Sequence, residues 1–257
     1  GATDGSISLI VQGGCEEYEF TWTGPEGFSS TDQDISNLGA GTYSVIITDF
    51  NDIVFSIENL IITEPLELTA TASIFQHECE FGVSCFGECD GEIELTVLGG
   101  CEGTYEYIWS GPNDFVSTDQ NPTSLCPGTY SVTISDANNC SFTIEDLLVT
   151  EPEELSVEAS IFEYNCEYGV SELGASDGSI TLTVVGGSSC NGYNFAWTGP
   201  EGFTSTDQDI SNLSAGTYSV TVTDSNDCPF IIENLVISEP EELTASASIF
   251  QYNSCDD

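Results

Sequence analysis

Apolar and polar positions alternate along most of this chain. Ile7, Leu9 and Val11 are interleaved with Ser8 and Ile10, and the set returns at Ile93, Leu95, Val97 and at Ile180, Leu182, Val184. Tyr18, Phe20 and Trp22 form a second set, copied at Tyr105, Tyr107, Trp109 and at Tyr193, Phe195, Trp197. Tyr43, Val45 and Ile47 form a third, copied at Tyr130, Val132, Ile134 and at Tyr218, Val220, Val222. A period of two in β-branched and aromatic residues predicts half-buried strands. No stretch keeps a helical period. Gly13-Gly14, Gly24-Pro25 and the turn from Asp49 to Asp52 punctuate the strands. After Glu64-Pro65 a new alternation (Leu68, Ala70, Ala72, Ile74) predicts a strand that opens the following unit.

These sets recur as one block. Asp-Gly begins at Asp4, Asp90 and Asp177, and the only tryptophans are Trp22, Trp109 and Trp197. Gly-Thr-Tyr begins at Gly41, Gly128 and Gly216, Glu-Pro at Glu64, Glu151 and Glu239, and Ser-Ile-Phe at Ser73, Ser160 and Ser248, all spaced by 86 to 88 residues. Such a period is too long for a helical solenoid and fits one small domain. Short strands and turns at this spacing predict an all-β chain, a tandem array of three immunoglobulin-like antiparallel β-sandwiches. The tryptophans would anchor the cores. Tyr43, Tyr130 and Tyr218 sit where a tyrosine corner belongs, though plain core packing is the preferred account of them. The Glu-Pro marks divide the chain into 1–65 (a sandwich lacking its opening strand), 66–152, 153–240, and 241–257, a spare opening strand. That spare strand fits a window cut from a longer array. It also fits a donor that completes the first sandwich of another molecule.

Charge narrows the function. The 257 residues include 44 Asp and Glu and neither Lys nor Arg, for a net charge of −44. With no cation to neutralise phosphates, nucleic-acid binding and docking on anionic lipid are excluded. Disorder, the usual outcome of such charge, is opposed by 39% hydrophobic and 11% aromatic content. Eleven cysteines without zinc-type spacing point to disulfides in an oxidising compartment. No apolar run approaches membrane-spanning length. With neither an initiator Met nor a signal peptide, the chain reads as a mature segment or a cut from something longer.

Three strings carry a resemblance. They are Asp-Gly-Ser-Ile-x-Leu-x-Val-x-Gly-Gly from Asp177, Tyr-x-Phe-x-Trp-x-Gly-Pro-x-Gly-Phe from Tyr193, and Leu-x-Ala-Gly-Thr-Tyr-Ser-Val-Thr-Val-Thr-Asp from Leu213. Together they resemble the SprB repeat of large surface adhesins of gliding Bacteroidota, which is related in shape to PKD-type domains. The second block matches through Leu125-Cys126-Pro127-Gly128-Thr129-Tyr130 and Asp136-Ala137-Asn138-Asn139-Cys140. The resemblance implies an exported cell-surface or extracellular filament protein, carried by type IX secretion, serving adhesion or gliding and lacking a catalytic site. The absence of Lys and Arg and the extra cysteines depart from the family pattern.

Strand geometry limits the disulfides. Cys126 and Cys140 flank a strand of roughly 23 Å, whereas bonded cysteines keep their Cα atoms within about 7 Å. Cys101 and Cys140 are expected at one end of the second sandwich, and Cys190 and Cys228 at that end of the third, predicting bonds Cys101–Cys140 and Cys190–Cys228. Ile53 breaks the pattern in the first block. At the opposite end Cys126 should bond Cys85 or Cys89, with Cys79 taking the other. Cys15, Cys166 and Cys255 are left over, and an odd total leaves at least one thiol free or bonded to another chain.

Candidate chemistry is confined to turns. Asp49, Asn51 and Asp52 are copied at Asp136, Asn138, Asn139 and at Asp224, Asn226, Asp227. Asp32 and Asp34 are copied at Asp119, Asn121 and at Asp207, Asp209. Hard oxygen ligands in loops suit Ca²⁺, the one cofactor these residues suggest, but ordinary turn chemistry, in which Asp and Asn favour such bends for their own sake, is the preferred account. Phe28, Phe115 and Phe203 follow a Gly-Pro-x-Gly or Gly-Pro-x-x turn. They either stack on surface polysaccharide or fold onto their own sandwich. No nucleophile has a basic partner, so no enzyme is expected. The expected product is an extracellular stalk or filament for adhesion or gliding, whose partners are flanking repeats or further copies of itself. A carbohydrate-binding array and a strand-donating fibre subunit are the alternatives.

Overall fold

The structure is a computed structural model, and it describes residues 2–15, 17–101 and 103–250. The first repeat folds into β1 (Gly5–Ile7), β2 (Glu19–Thr23), β3 (Ser29–Ser30), β4 (Ile35–Leu38), β5 (Gly41–Thr48) and β6 (Val54–Ile62). The second gives β7 (Thr69–Ile74), β8 (Ile93–Leu98), β9 (Glu106–Ser110), β10 (Val116–Ser117), β11 (Gly128–Ser135) and β12 (Ser141–Val149). The third gives β13 (Ser156–Ile161), β14 (Gly178–Val185), β15 (Asn194–Thr198), β16 (Thr204–Ser205), β17 (Ile210–Leu213), β18 (Gly216–Thr223) and β19 (Pro229–Ile237). Helix among the described residues is limited to short 3₁₀ turns such as Pro25–Gly27.

Each repeat builds the same four-stranded sheet, in the orders β3-β2-β5-β6, β10-β9-β11-β12 and β16-β15-β18-β19. The tryptophan strand pairs with the strand after Gly-Thr-Tyr, setting Trp22 opposite Val45 and Trp197 opposite Val220. All four of these side chains are buried, as are Trp109 and Val132. The second sheet differs between repeats. It is β13-β14-β17 in the third, β7-β8 in the second and only β1-β4 in the first. In the second repeat an isolated bridge between Gly91 and Leu125 stands where β14 pairs with β17 in the third. Alternation of inward apolar and outward polar residues then closes a core between the sheets. Around Trp22 that core includes Leu9, Ile35, Leu38 and Tyr43. Around Trp197 it includes Leu182, Ile210, Leu213 and Tyr218.

By its internal contacts the chain divides into two compact units. One is Gly1–Thr69 with Val97–Tyr105 and Ser135–Ser141, and the other is Ala70–Thr96 with Glu106–Ile134 and Phe142–Asp257. The strand after the last Glu-Pro does not form: residues 241–250 are exposed and outside any strand. Leu243 is 97% exposed. The remaining residues of the spare segment, with Cys255, lie outside the described ones.

Candidate functional site

The acidic turns are structural braces. Asp49 Oδ1 accepts the N–H groups of Asn51 and Ile53, and Oδ2 accepts that of Cys15. Asp136 repeats this with Asn138, Cys140 and Cys101, and Asp224 with Asn226, Cys228 and Ser188. One carboxylate thus closes its own turn and ties it to the Gly-Gly turn of the same repeat. The Cys15 N–H foremost, with those of Ile53 and Asn51, holds the Asp49 carboxyl below its ordinary range against the opposing effect of burial. The Cys101 N–H foremost, with those of Cys140 and Asn138, does the same for Asp136. Asp52 and Asp227 stand next in the turns at φ 61° and 62°. Short Asx side chains tolerate that left-handed conformation.

The second acidic set satisfies the backbone of a core leucine in each repeat. Asp34 Oδ1 accepts the N–H of Leu9, and Gln33 Nε2 donates to the Leu9 carbonyl. Asn121 with Gln120 treats Leu95 in the same way, and Asp209 with Gln208 treats Leu182. Two side chains so pair both backbone groups of one buried leucine, which lies in a strand in the second and third repeats and just past β1 in the first. The preceding Asp32, Asp119 and Asp207 offer their carbonyls to the indole N–H groups of Trp22, Trp109 and Trp197. Among the described residues no group of three or more His, Cys, Asp or Glu gathers to hold a metal ion.

Each loop phenylalanine folds onto its own repeat. Phe28, Phe115 and Phe203 meet Tyr43, Tyr130 and Tyr218 edge to face, with ring centroids 5.3–5.4 Å apart. The tyrosine hydroxyls donate four residues back, to the carbonyls of Gly39, Cys126 and Ser214, the pattern of a tyrosine corner.

The cysteines depart from expectation. Cys89 bonds Cys126, one of the two partners expected for it. In the third repeat Ser176 and Ser214 replace this pair and hydrogen-bond at 2.8 Å. Cys190 and Cys228, however, do not bond each other. Cys190 bonds Cys79 and Cys228 bonds Cys85, so Cys79 is not shared with the Cys85–Cys89 turn either. The reason is the neighbouring repeat: the loop from His77 to Cys89 lies against the turns of the third repeat, and bonds across this joint displace bonds within the sandwich. Cys101 and Cys140 do lie at one end, braced by the same Asp136, yet both are free thiols. Cys15 and Cys166 are also free.

Asn226 is the polar centre of the joint. Its Oδ1 accepts the Glu78 N–H, and its Nδ2 donates to the Ser84 carbonyl and to Ser188 Oγ. The sequence places Asn226 in an acidic turn without revealing the joint, and sequence reasoning missed Gln33, Gln120 and Gln208. Their signal was present in the recurrence of Asn and Gln at fixed places, but turn chemistry alone explained those types.

The sheets, cores and corners define a class: an all-β, immunoglobulin-like repeat protein. More particularly, residues 83–114 and 173–202 match the SprB repeat. Three solved structures are similar over much of the chain. The three N-terminal domains of the bacteriophage RB49 Highly Immunogenic Outer Capsid protein match at 17% identity and TM-score 0.44, covering 92% of this chain and 94% of that one. The amphioxus IgVJ-C2 molecule matches at 13% and 0.28, covering 58% and 97%. Extracellular domains 3–5 of Drosophila OTK match at 10% and 0.25, covering 90% and 91%. No curated protein matches. The repeat matches and the three disulfides fit an extracellular chain. No described helix is long and apolar enough to cross a membrane.

Proposed function

We propose that this chain is a structural segment of an extracellular stalk or filament at a cell surface, holding an adhesive or gliding apparatus away from the cell. The observation that carries this reading is the joint between the second and third repeats. There two disulfides and the Asn226 hydrogen bonds turn consecutive sandwiches into one covalently clamped body. Clamping of this kind serves a part that bears load, and is of no use to repeats that work as separate binding heads. The carboxylate coat supports the same reading, since like charge keeps neighbouring stalks apart and in solution. Surface polysaccharide is the target class that the loop aromatics would suit, but their edges already rest on tyrosines. The test is adhesion itself. Beads carrying the chain are expected to bind a target surface no better through Phe115→Ala than through the unaltered chain, and a glycan array is expected to stay blank. Glycan binding abolished by Phe115→Ala would replace the stalk with a carbohydrate-binding array.

A further inference from the structure

The joint between the second and third repeats is fastened at two places that differ in exposure. Both lie in the loop from His77 to Cys89. Near its start, half-buried Cys79 stands between exposed Glu78 and Glu80 and bonds Cys190, which is exposed after its Gly-Gly turn. Further along the loop, half-buried Cys85 bonds Cys228, which is 8% exposed. The Cys228 Sγ lies 3.4 Å from the Ser84 carbonyl oxygen, and the Cys228 N–H is held by Asp224 Oδ1. Asn226 reaches both places, accepting the Glu78 N–H and donating to the Ser84 carbonyl.

A thiolate opens a disulfide by attacking one of its sulfurs, so access to that sulfur decides which bond breaks. At the first bridge the exposed sulfur is that of Cys190. Attack there expels Cys79, whose Sγ already accepts the Cys190 N–H at 3.1 Å. A donor aimed at the leaving sulfur stabilises the negative charge that develops on it. At the second bridge Cys228 is buried and Cys85 half-buried, so neither sulfur is offered as that of Cys190 is.

We propose that Cys79–Cys190 is a redox-modifiable site that takes a small dithiol as its substrate, and that Cys85–Cys228 is the permanent bond of the same joint. One thiolate of the dithiol attacks Cys190 Sγ, the Cys79–Cys190 bond breaks, and a mixed disulfide forms at Cys190. The second thiol of the reductant then attacks its own mixed disulfide, and the reductant leaves as a cyclic disulfide. Two electrons and two protons pass from it to Cys79 and Cys190. The joint thus has two covalent states, clamped at two points or hinged at one. In the hinged state residues 78–80 are held to the third repeat by exposed hydrogen bonds through Asn191 and Asn226, which open locally at little cost.

The change of state leaves the length of the chain under tension unaltered. Cys85–Cys228 closes a span of 143 residues and Cys79–Cys190 one of 111, so tension takes the Cys85–Cys228 route whether or not the other bridge is closed. Were Cys85–Cys228 to open first, the route would lengthen by the difference of 32 residues, 143 against 111, about 110 Å of extended chain.

This goes beyond the stalk reading and stands apart from it, because the order of opening belongs to the joint whatever the joint is used for. The test titrates the whole folded chain with dithiothreitol at about 1 M NaCl, where a Debye length of about 3 Å lets an anionic thiolate approach the acidic surface. The thiols of Cys15, Cys101, Cys140 and Cys166 are blocked beforehand. New thiols are alkylated at intervals and located by digestion at Glu and mass spectrometry. Cys79 and Cys190 are expected to be labelled about tenfold sooner than Cys85 and Cys228. A Glu-specific protease is then expected to cut after Glu78 and Glu80 about tenfold faster in the partly reduced chain than in the oxidised one. Cys79→Ser/Cys190→Ser is expected to reproduce that rate, and the partly reduced native chain carries the same readout without any substitution. Optical tweezers are expected to show no step of about 110 Å at reductant concentrations that label Cys79. Labelling of Cys85 and Cys228 first or at the same time, such a step, or a loop no easier to cut once Cys79–Cys190 is open would each overturn the proposal.

Discussion

At the scale of single residues, the acidity has a division of labour. Most carboxylates coat the surface, but Asp49, Asp136 and Asp224 accept backbone N–H groups that would otherwise lack partners. Asp224 is 1% exposed. Replacing it with Ala strands the N–H groups of Ser188, Asn226 and Cys228, and the expected loss is about 1–3 kcal/mol, read as a lower denaturant midpoint with all three disulfides still formed. The braces also set an acid limit. Asp49 and Asp136 hold their protons less tightly in the folded chain than in the unfolded one, so the stability they give is complete above the ordinary carboxylate range and is lost as pH falls through their depressed values. Thermal melts below about pH 4 are expected to fall steeply, and the slope should shrink in Asp136→Asn.

At the scale of elements, the strands were legible and the joints were not. The long strands were visible from period two, because a slip of one residue would invert the buried face, but the strand expected through Leu9 and Val11 stops at Ile7, and the short β3, β4, β10, β16 and β17 were not foreseen. Strand direction brought Cys126 to the turn that holds Cys85 and Cys89 without choosing between them, and the tyrosine corners were visible as positions that core packing would equally fill. The Cys79–Cys190 and Cys85–Cys228 bonds did not follow from strand direction, since they depend on how one repeat meets the next, which no pattern within a repeat encodes. The calcium reading of the turns rested on residue type, and type does not show that these carboxylates also face amide protons. Ser176 and Ser214 show how transferable the in-repeat geometry is. The double variant Ser176→Cys/Ser214→Cys is expected to form a fourth disulfide without an engineered fit and to raise stability by about 2–4 kcal/mol, checked by thiol titration and by a denaturant melt.

At the scale of the whole molecule, a charge of −44 opposes compactness everywhere at once. Apart from the contact of His77 with Asp90, at 3.8 Å, the described side chains have no cation to offset it. Added NaCl screens this repulsion. The melting temperature near neutral pH is expected to climb between about 0.01 and 0.5 M NaCl, where most proteins of balanced charge change little; a flat profile would mean that the coat is too dispersed to matter. The clamped joint has a mechanical corollary. When the chain is stretched from its ends, tension crosses from Cys85 straight to Cys228, and the 143 residues of that span are shielded from the pull. Optical tweezers should record about 490 Å of hidden length that appears only when a reductant is present, which makes the second and third repeats a safety reserve opened by chemistry rather than by force.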